Sequence, residues 1–189
     1  MALVVGGTTV TGTQVLDATK LSGNLPALNG SSLTNISGGK VGQVIYGSYN
    51  QEVAGSGSGT VDSGLTASIT PTATSSKVLV LLTQQALKGD VSNAGYYFSI
   101  QLQRQINNGG YSTQKFVTSI GNYFSGSASG DKYIGANEYS LNFMDTTNTT
   151  SQVDYKTITN NESNMKTNPD DTSSTHRGEA SMILMEILA

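Results

Sequence analysis

Between Tyr96 and Ile106 the chain alternates with a period of two. Tyr96, Phe98, Ile100 and Leu102 fall on one face, and Ser99, Gln101, Gln103 and Gln105 on the other. Successive side chains of a strand point to opposite faces, so the pattern predicts a strand with one face in a core and one in water. Asn107-Asn-Gly-Gly110 follows, a run of residues that accept positive φ, and predicts a tight hairpin turn. The return strand, Thr113 to Phe124, sets Phe116, Thr118, Ile120 and Phe124 on one side. This hairpin anchors an all-β reading of the chain.

Val78 to Leu82 is an unbroken apolar run in the middle of the chain, and at that length it predicts a strand buried on both faces. Pro71 and the cluster Thr72-Ala-Thr-Ser-Ser76 precede it, and Lys88-Gly-Asp90 is expected to close it. Further strands are expected at Val41–Tyr49, Leu65–Ile69, Tyr139–Met144 and Val153–Thr159, the last near a sheet edge. Ser181-Met-Ile-Leu-Met-Glu-Ile-Leu188 is apolar on both faces apart from Glu186. It could be a helix by periodicity alone, but its length and lack of a polar helical face favour a second central strand. Residues 160 to 178 read as a long polar loop. About eight strands joined by Gly/Ser/Asn turns predict a jelly-roll-like β-sandwich over residues 41–189.

Residues 1–40 differ from the rest. They hold no aromatic residue, and Gly6-Gly7, Gly12, Gly23, Pro26, Gly30 and Gly38-Gly39 exclude a long helix. Such a segment cannot close a core alone. It is expected to be an extended arm or stalk, ordered against copies of itself or a larger assembly, or else a flexible leader. Fully extended, ~36 residues at ~3.3 Å each reach on the order of 100 Å.

Charged residues make up 12% of the chain, about half the usual share, and Ser, Thr, Asn and Gly fill the difference. A net charge of −3 offers no electrostatic footprint for nucleic acid or an anionic membrane. The absence of Cys excludes disulfides, thiolate metal sites and thiol nucleophiles. The first residues have no basic n-region, and no segment has the length of a membrane helix, so neither export nor membrane insertion is expected.

Leu65-Thr-Ala-Ser-Ile-Thr-Pro-Thr-Ala-Thr-Ser-Ser-Lys-Val-Leu-Val80, preceded by Gly42-Gln-Val-Ile45 and closed by Leu184-Met-Glu-Ile187, resembles small virion structural proteins of tailed phages. These are common in phages of marine bacteria and cyanobacteria and are tail-fibre-like. The stretch Leu16 to Ile36 is similar to stalk segments of phage fibres. The likeness covers most of the chain in pattern and about a third in wording. It implies a homotrimer, a C-terminal jelly-roll knob, and an N-terminal part that attaches to other virion proteins of tail or capsid. Leu3, Val4, Val5, Val10, Val15 and Leu16 are the candidate virion-docking residues. It also implies a virion location, after assembly in the host bacterial cytoplasm. The chain is short for a main tail fibre, which leaves a tip fibre, a head fibre or a capsid decoration protein.

Chemistry finds little footing. A Ser–His–Asp triad needs a histidine, and the only one, His176, lies in a polar stretch beside Arg177 with no Gly-x-Ser-x-Gly elbow. Asp170-Asp171 with Glu179 lack the layout of a calcium loop. Glu138, Asp145 and Asp154 are spread over separate strands, unlike the paired carboxylates of a polysaccharide-degrading tail spike. The chain is therefore expected to be non-enzymatic, without cofactor or metal, and to act in host attachment or capsid decoration. Sugar recognition uses aromatic faces with amide and hydroxyl partners. Tyr111 at the hairpin tip, Asn107, Asn108, and Tyr123 and Tyr133 flanking Ser125–Gly130 supply those groups for host surface polysaccharide. The same tyrosines suit strand ends or contacts between copies.

Overall fold

A computed structural model describes residues 3–5, 8–10, 40–90, 96–122, 132–160, 165–169 and 178–189. The chain divides into two units, Met1–Gly38 and Gly39–Ala189. In the first, β1 (Leu3–Val5) and β2 (Thr8–Val10) form an antiparallel pair in which Leu3 faces Val10.

The second unit holds β3 (Val41–Tyr49), β4 (Val53–Ala54), β5 (Thr60–Ile69), β6 (Lys77–Asp90), β7 (Tyr96–Ile106) and β8 (Ser112–Asn122). It continues with β9 (Lys132–Asp145), β10 (Val153–Asn160), β11 (Met165–Thr167) and β12 (Ala180–Ile187). No helix occurs among the described residues. One sheet has the order β5-β10-β7-β8; the other runs β3-β12-β6-β9, with β11 pairing β6 beyond the end of β12 and β4 pairing β11 at the edge. Taking the eight long strands in chain order, the first pairs with the eighth, the second with the seventh, the third with the sixth and the fourth with the fifth, all antiparallel. That is one long ribbon rolled into two facing sheets, the jelly roll.

Alternation puts one face of each strand inside. Leu65, Ala67 and Ile69 of β5, Val78, Val80 and Leu82 of β6, Leu102 of β7, Val153 and Tyr155 of β10, and Ala180, Met182 and Leu184 of β12 make one buried cluster. Removing an aliphatic side chain of this kind from water contributes about 1.5–3 kcal/mol. At the corner between the sheets β3 passes against β5 at Gly47, where a Cβ would collide with the Thr66 carbonyl oxygen.

Several strands depart from the pattern predicted above. β6 ends at Asp90 as expected, but Lys88-Gly-Asp90 is paired strand and not a turn. β9 pairs along it as far as Asp90, and β11 pairs with residues 86–88 on the other edge, so both rows of backbone groups stay satisfied and extended. Nor is its apolar run buried on both faces: Val78, Val80 and Leu82 are, but Leu79 and Leu81 are half-exposed. β12 is indeed a strand beside β6, yet its acid, Glu186, points inward while Ile183, Met185 and Ile187 point outward. β10 lies between β5 and β7, not at an edge, because its inward threonines find partners. The Thr157 hydroxyl donates to Gln84 Oε1 at 2.8 Å and meets the Ser63 hydroxyl, and that of Thr159 reaches Met165 Sδ at 3.2 Å. The polar stretch 160–178 contains β11. It lies end to end with β12 along one edge of β6, and the chain between them leaves at Pro169 and re-enters at Gly178, whose N–H donates to the Pro169 carbonyl at 2.9 Å.

Candidate functional site

The β7–β8 hairpin positions the tip expected from the sequence. Asn107 and Asn108 adopt φ of 49° and 56°, and the Gly109 N–H donates to the Ile106 carbonyl at 2.9 Å. Two successive left-handed residues inside such a bond make the twisted turn that suits a hairpin, and asparagine tolerates this conformation better than most residues. The asparagines take it, not Gly109 and Gly110. Asn107 N–H also donates to the Gln152 carbonyl at 2.9 Å, tying the tip to the strand entering β10.

Behind this tip, the outer face of the four-stranded sheet carries three cross-strand rows. Ser68, Asp154 and Gln105 form one; Thr66, Lys156, Gln103 and Thr113 the next; Asp62, Ile158, Gln101 and Phe116 the third. Neighbouring rows are two residues apart, so these side chains share one surface. Asp154 accepts from Ser68 Oγ at 2.6 Å, Gln152 Nε2 at 2.6 Å and Gln105 Nε2 at 2.9 Å. Burial alone would raise its pKa, but these hydrogen bonds outweigh it and hold the carboxyl below its ordinary value. Lys156 Nζ lies 2.8 Å from Asp62 Oδ2 and 4.4 Å from the centre of the Tyr111 ring. Burial, then the Asp154 carboxylate, pushes the Tyr111 hydroxyl up against the opposing pull of Lys156. Thr113 Oγ1 donates to Gln101 Oε1 at 2.9 Å.

Phe116 stands 57% exposed at the edge of this field. The sequence set it on the apolar side with Thr118 and Ile120. In the fold, Thr118 faces Ile100 whereas Phe116 faces Gln101, so Val117 is an extra residue that turns Phe116 outward. Val117 itself packs on the core.

The other proposed binding residues are not all brought together. Tyr123 lies outside the described residues. Tyr133 is on β9, opposite Gly89, in the other sheet. Asp145, at the near end of β9, lies against Arg104, and Tyr133 is twelve residues further along the strand, about 40 Å at ~3.3 Å per residue. Leu3, Val4, Val5 and Val10 belong to the β1–β2 pair; Val15, Leu16, His176, Asp170 and Asp171 lie outside the described residues.

Two buried acids, Asp145 and Glu186, are structural. Asp145 is buried, bound by Arg104 Nη1 at 2.8 and 2.9 Å and by the Tyr155 hydroxyl at 2.7 Å. Burial and that hydrogen bond to Asp145 push the Tyr155 hydroxyl far above its ordinary value. Glu186 is buried beneath the core; it accepts from Thr72 N–H at 2.6 Å, Thr72 Oγ1 at 2.7 Å and Gln43 Nε2 at 2.8 Å. Burial would raise its pKa, but these bonds win and bring it down to about 2. Among the described residues no group of three or more His, Cys, Asp or Glu is placed to hold a metal ion. Among the described residues no helix is long and apolar enough to cross a membrane.

No family model matches the chain, and no curated protein matches it. Among solved structures it is similar to a chain of infectious bursal disease virus, Gt strain, at 12% identity and a TM-score of 0.33, over 78% of this chain and 38% of that one. It is also similar to a chain of the Gx strain of that virus, at 10% identity and a TM-score of 0.31, over 87% of this chain and 43% of that one. The chain thus spans less than half the length of either.

Proposed function

We propose that this chain is a non-enzymatic virion structural protein, a fibre or knob built from three copies and carried on a tailed-phage particle. Its jelly roll presents the outer face of the four-stranded sheet and the Asn107–Tyr111 tip to host surface polysaccharide. The N-terminal unit docks on other virion proteins through apolar residues that include Leu3, Val4, Val5 and Val10. The observation that carries this reading is the polar lattice of Gln101, Gln103, Gln105, Thr113, Asp154 and Lys156, flanked by the Tyr111 ring and the exposed Phe116. Flat amide and hydroxyl groups beside aromatic faces match the alternating hydroxyls and C–H faces of a sugar. The lattice is held by its own hydrogen bonds, so a ligand meets groups that need no ordering.

The same face argues against a glycan-cleaving site. Its two acids, Asp62 and Asp154, lie in different cross-strand rows and each is already engaged, Asp62 by Lys156 Nζ at 2.8 Å and Asp154 by Ser68, Gln152 and Gln105. The test is to incubate the purified protein with host surface polysaccharide. Binding without release of oligosaccharide is the expected result, and release of oligosaccharide would overturn the non-enzymatic reading. Labelling the C-terminus on intact particles distinguishes a tail fibre from a head fibre or capsid decoration protein.

A further inference from the structure

The interior of the sandwich changes character along its length. The apolar cluster reaches Leu82 on β6 and Tyr155 on β10. Two residues further along the same inner faces stand Gln84 and Thr157, and two beyond those Ala86 and Thr159. On the edge of β6, β11 adds Thr167, which pairs with Ala86 and so shares its face. Ser63, Gln84, Thr157, Thr159 and Thr167 are all buried. Part of this polar set is satisfied from within. The Ser63 hydroxyl meets that of Thr157, which donates to Gln84 Oε1 at 2.8 Å, and the Thr159 hydroxyl reaches Met165 Sδ at 3.2 Å, a weak acceptor. Gln84 Nε2 and Thr167 Oγ1 are not. Both side chains have no exposure, and neither atom has a hydrogen-bond partner among the described residues. Native interiors keep such orphans rare, because a buried polar group without a partner loses its bond to solvent and gains none in return.

We propose that this end of the sandwich is a binding site for one internal water, which bridges Gln84 Nε2 and Thr167 Oγ1. Gln84 and Thr167 are diagonal neighbours on paired strands, a placement that sets their Cβ atoms about 7 Å apart. Two hydrogen bonds of about 2.9 Å through one water span most of that gap, and the glutamine stem covers the rest. Ala86 lies between them on this face, smaller than Val78, Val80 and Leu82 before it on the inner row of β6. The chemistry of the surroundings selects water. Gln84, Ala86, Thr157, Thr159, Met165 and Thr167 carry no charge, so an ion here would be buried without a counter-charge. Turning the Gln84 amide over does not satisfy it, because the hydroxyls of Ser63 and Thr157 can donate in either direction and the carbonyl oxygen would then face the gap. Water both donates and accepts, and serves either arrangement. With it, a continuous polar chain runs from Ser63 on β5 through Thr157 on β10 and Gln84 on β6 to Thr167 on β11. That chain ties the two sheets at this end, as Arg104 and Asp145 tie them nearer the hairpin tip.

A high-resolution crystal structure of the protein should show one density peak within hydrogen-bond distance of both Gln84 Nε2 and Thr167 Oγ1. Thr167→Val keeps the shape of the side chain and removes its hydroxyl. It should abolish the peak and lower the melting temperature by about 2–4 °C, the scale on which one lost hydrogen bond registers in a domain of this size. Thr167→Ser, which retains the hydroxyl, should retain the peak. A melting temperature raised by valine would mean that the Thr167 hydroxyl stands in a dry site, and would overturn the proposal. A wild-type map with no peak, or with Gln84 and Thr167 in direct contact, would overturn it as well. That map decides the matter even if the valine variant fails to fold.

Discussion

Arg104 on β7 and Asp145 at the end of β9 meet at 2.8 Å across the interior, joining the two sheets through a guanidinium that spans both carboxylate oxygens. Tyr155 donates to the same carboxylate from β10, so three strands from two sheets converge on one buried acid. Replacing Arg104 by Met strands that charge among apolar neighbours. The expected loss is about 3 kcal/mol, read as a lower urea midpoint with an unchanged slope. In a double-mutant cycle with Asp145→Asn, the paired change should cost clearly less than the sum of the singles.

Acid should find the sandwich weakest at Glu186. Its folded-state pKa lies near 2, below its ordinary 4.5, so its stabilising contribution is complete above about 4.5 and fades as pH falls toward 2. Melting temperature measured from pH 6 down to pH 2 should fall across that window. Glu186→Gln should start lower at pH 6, having lost hydrogen bonds to a charged acceptor worth about 1.5–3 kcal/mol each, and should show a flatter decline.

Binding and stability should separate on the polar face. Phe116→Ala removes an exposed ring, so the fold should change by less than ~0.5 kcal/mol. Adsorption to host polysaccharide should weaken about tenfold, the equivalent of losing ~1.4 kcal/mol of aromatic contact. Equal adsorption by wild type and variant in a titration would remove Phe116 from the site.

Gly47→Ala should destabilise by about 1–3 kcal/mol, because the added Cβ meets the Thr66 backbone carbonyl, which cannot move without shifting β5. Thermal unfolding gives the number, and a neutral result would show that the corner can open.

Much of the fold was legible because period two is written residue by residue. The β7–β8 hairpin and the inward face of β9 follow from alternation, and the central places of β6 and β12 follow from their apolar runs. What alternation hides is the difference between the inner and outer faces of a sheet: Leu79 and Leu81 read as buried from their apolarity, and the sequence carries no sign that their side of the sheet is the outer one. Thr157 and Thr159 read as edge residues because a hydroxyl looks polar until its partner, Gln84 or Met165, arrives from a distant strand. The bulge at Val117 turns Phe116 over without a glycine or proline to mark it. The polar face was illegible for a related reason: Asp62, Gln101 and Asp154 come onto one surface only through strand register, whereas the tip at Asn107, Asn108 and Tyr111 is contiguous in sequence.

The backbone bond from Gly178 to Pro169 closes the excursion between β11 and β12 at its base, and both strands are held in register by the same edge of β6. An insertion between Pro169 and Gly178 would leave that bond and both registers with β6 to hold the base of the connection, so added chain there should cost little beyond the entropy of closing a longer loop.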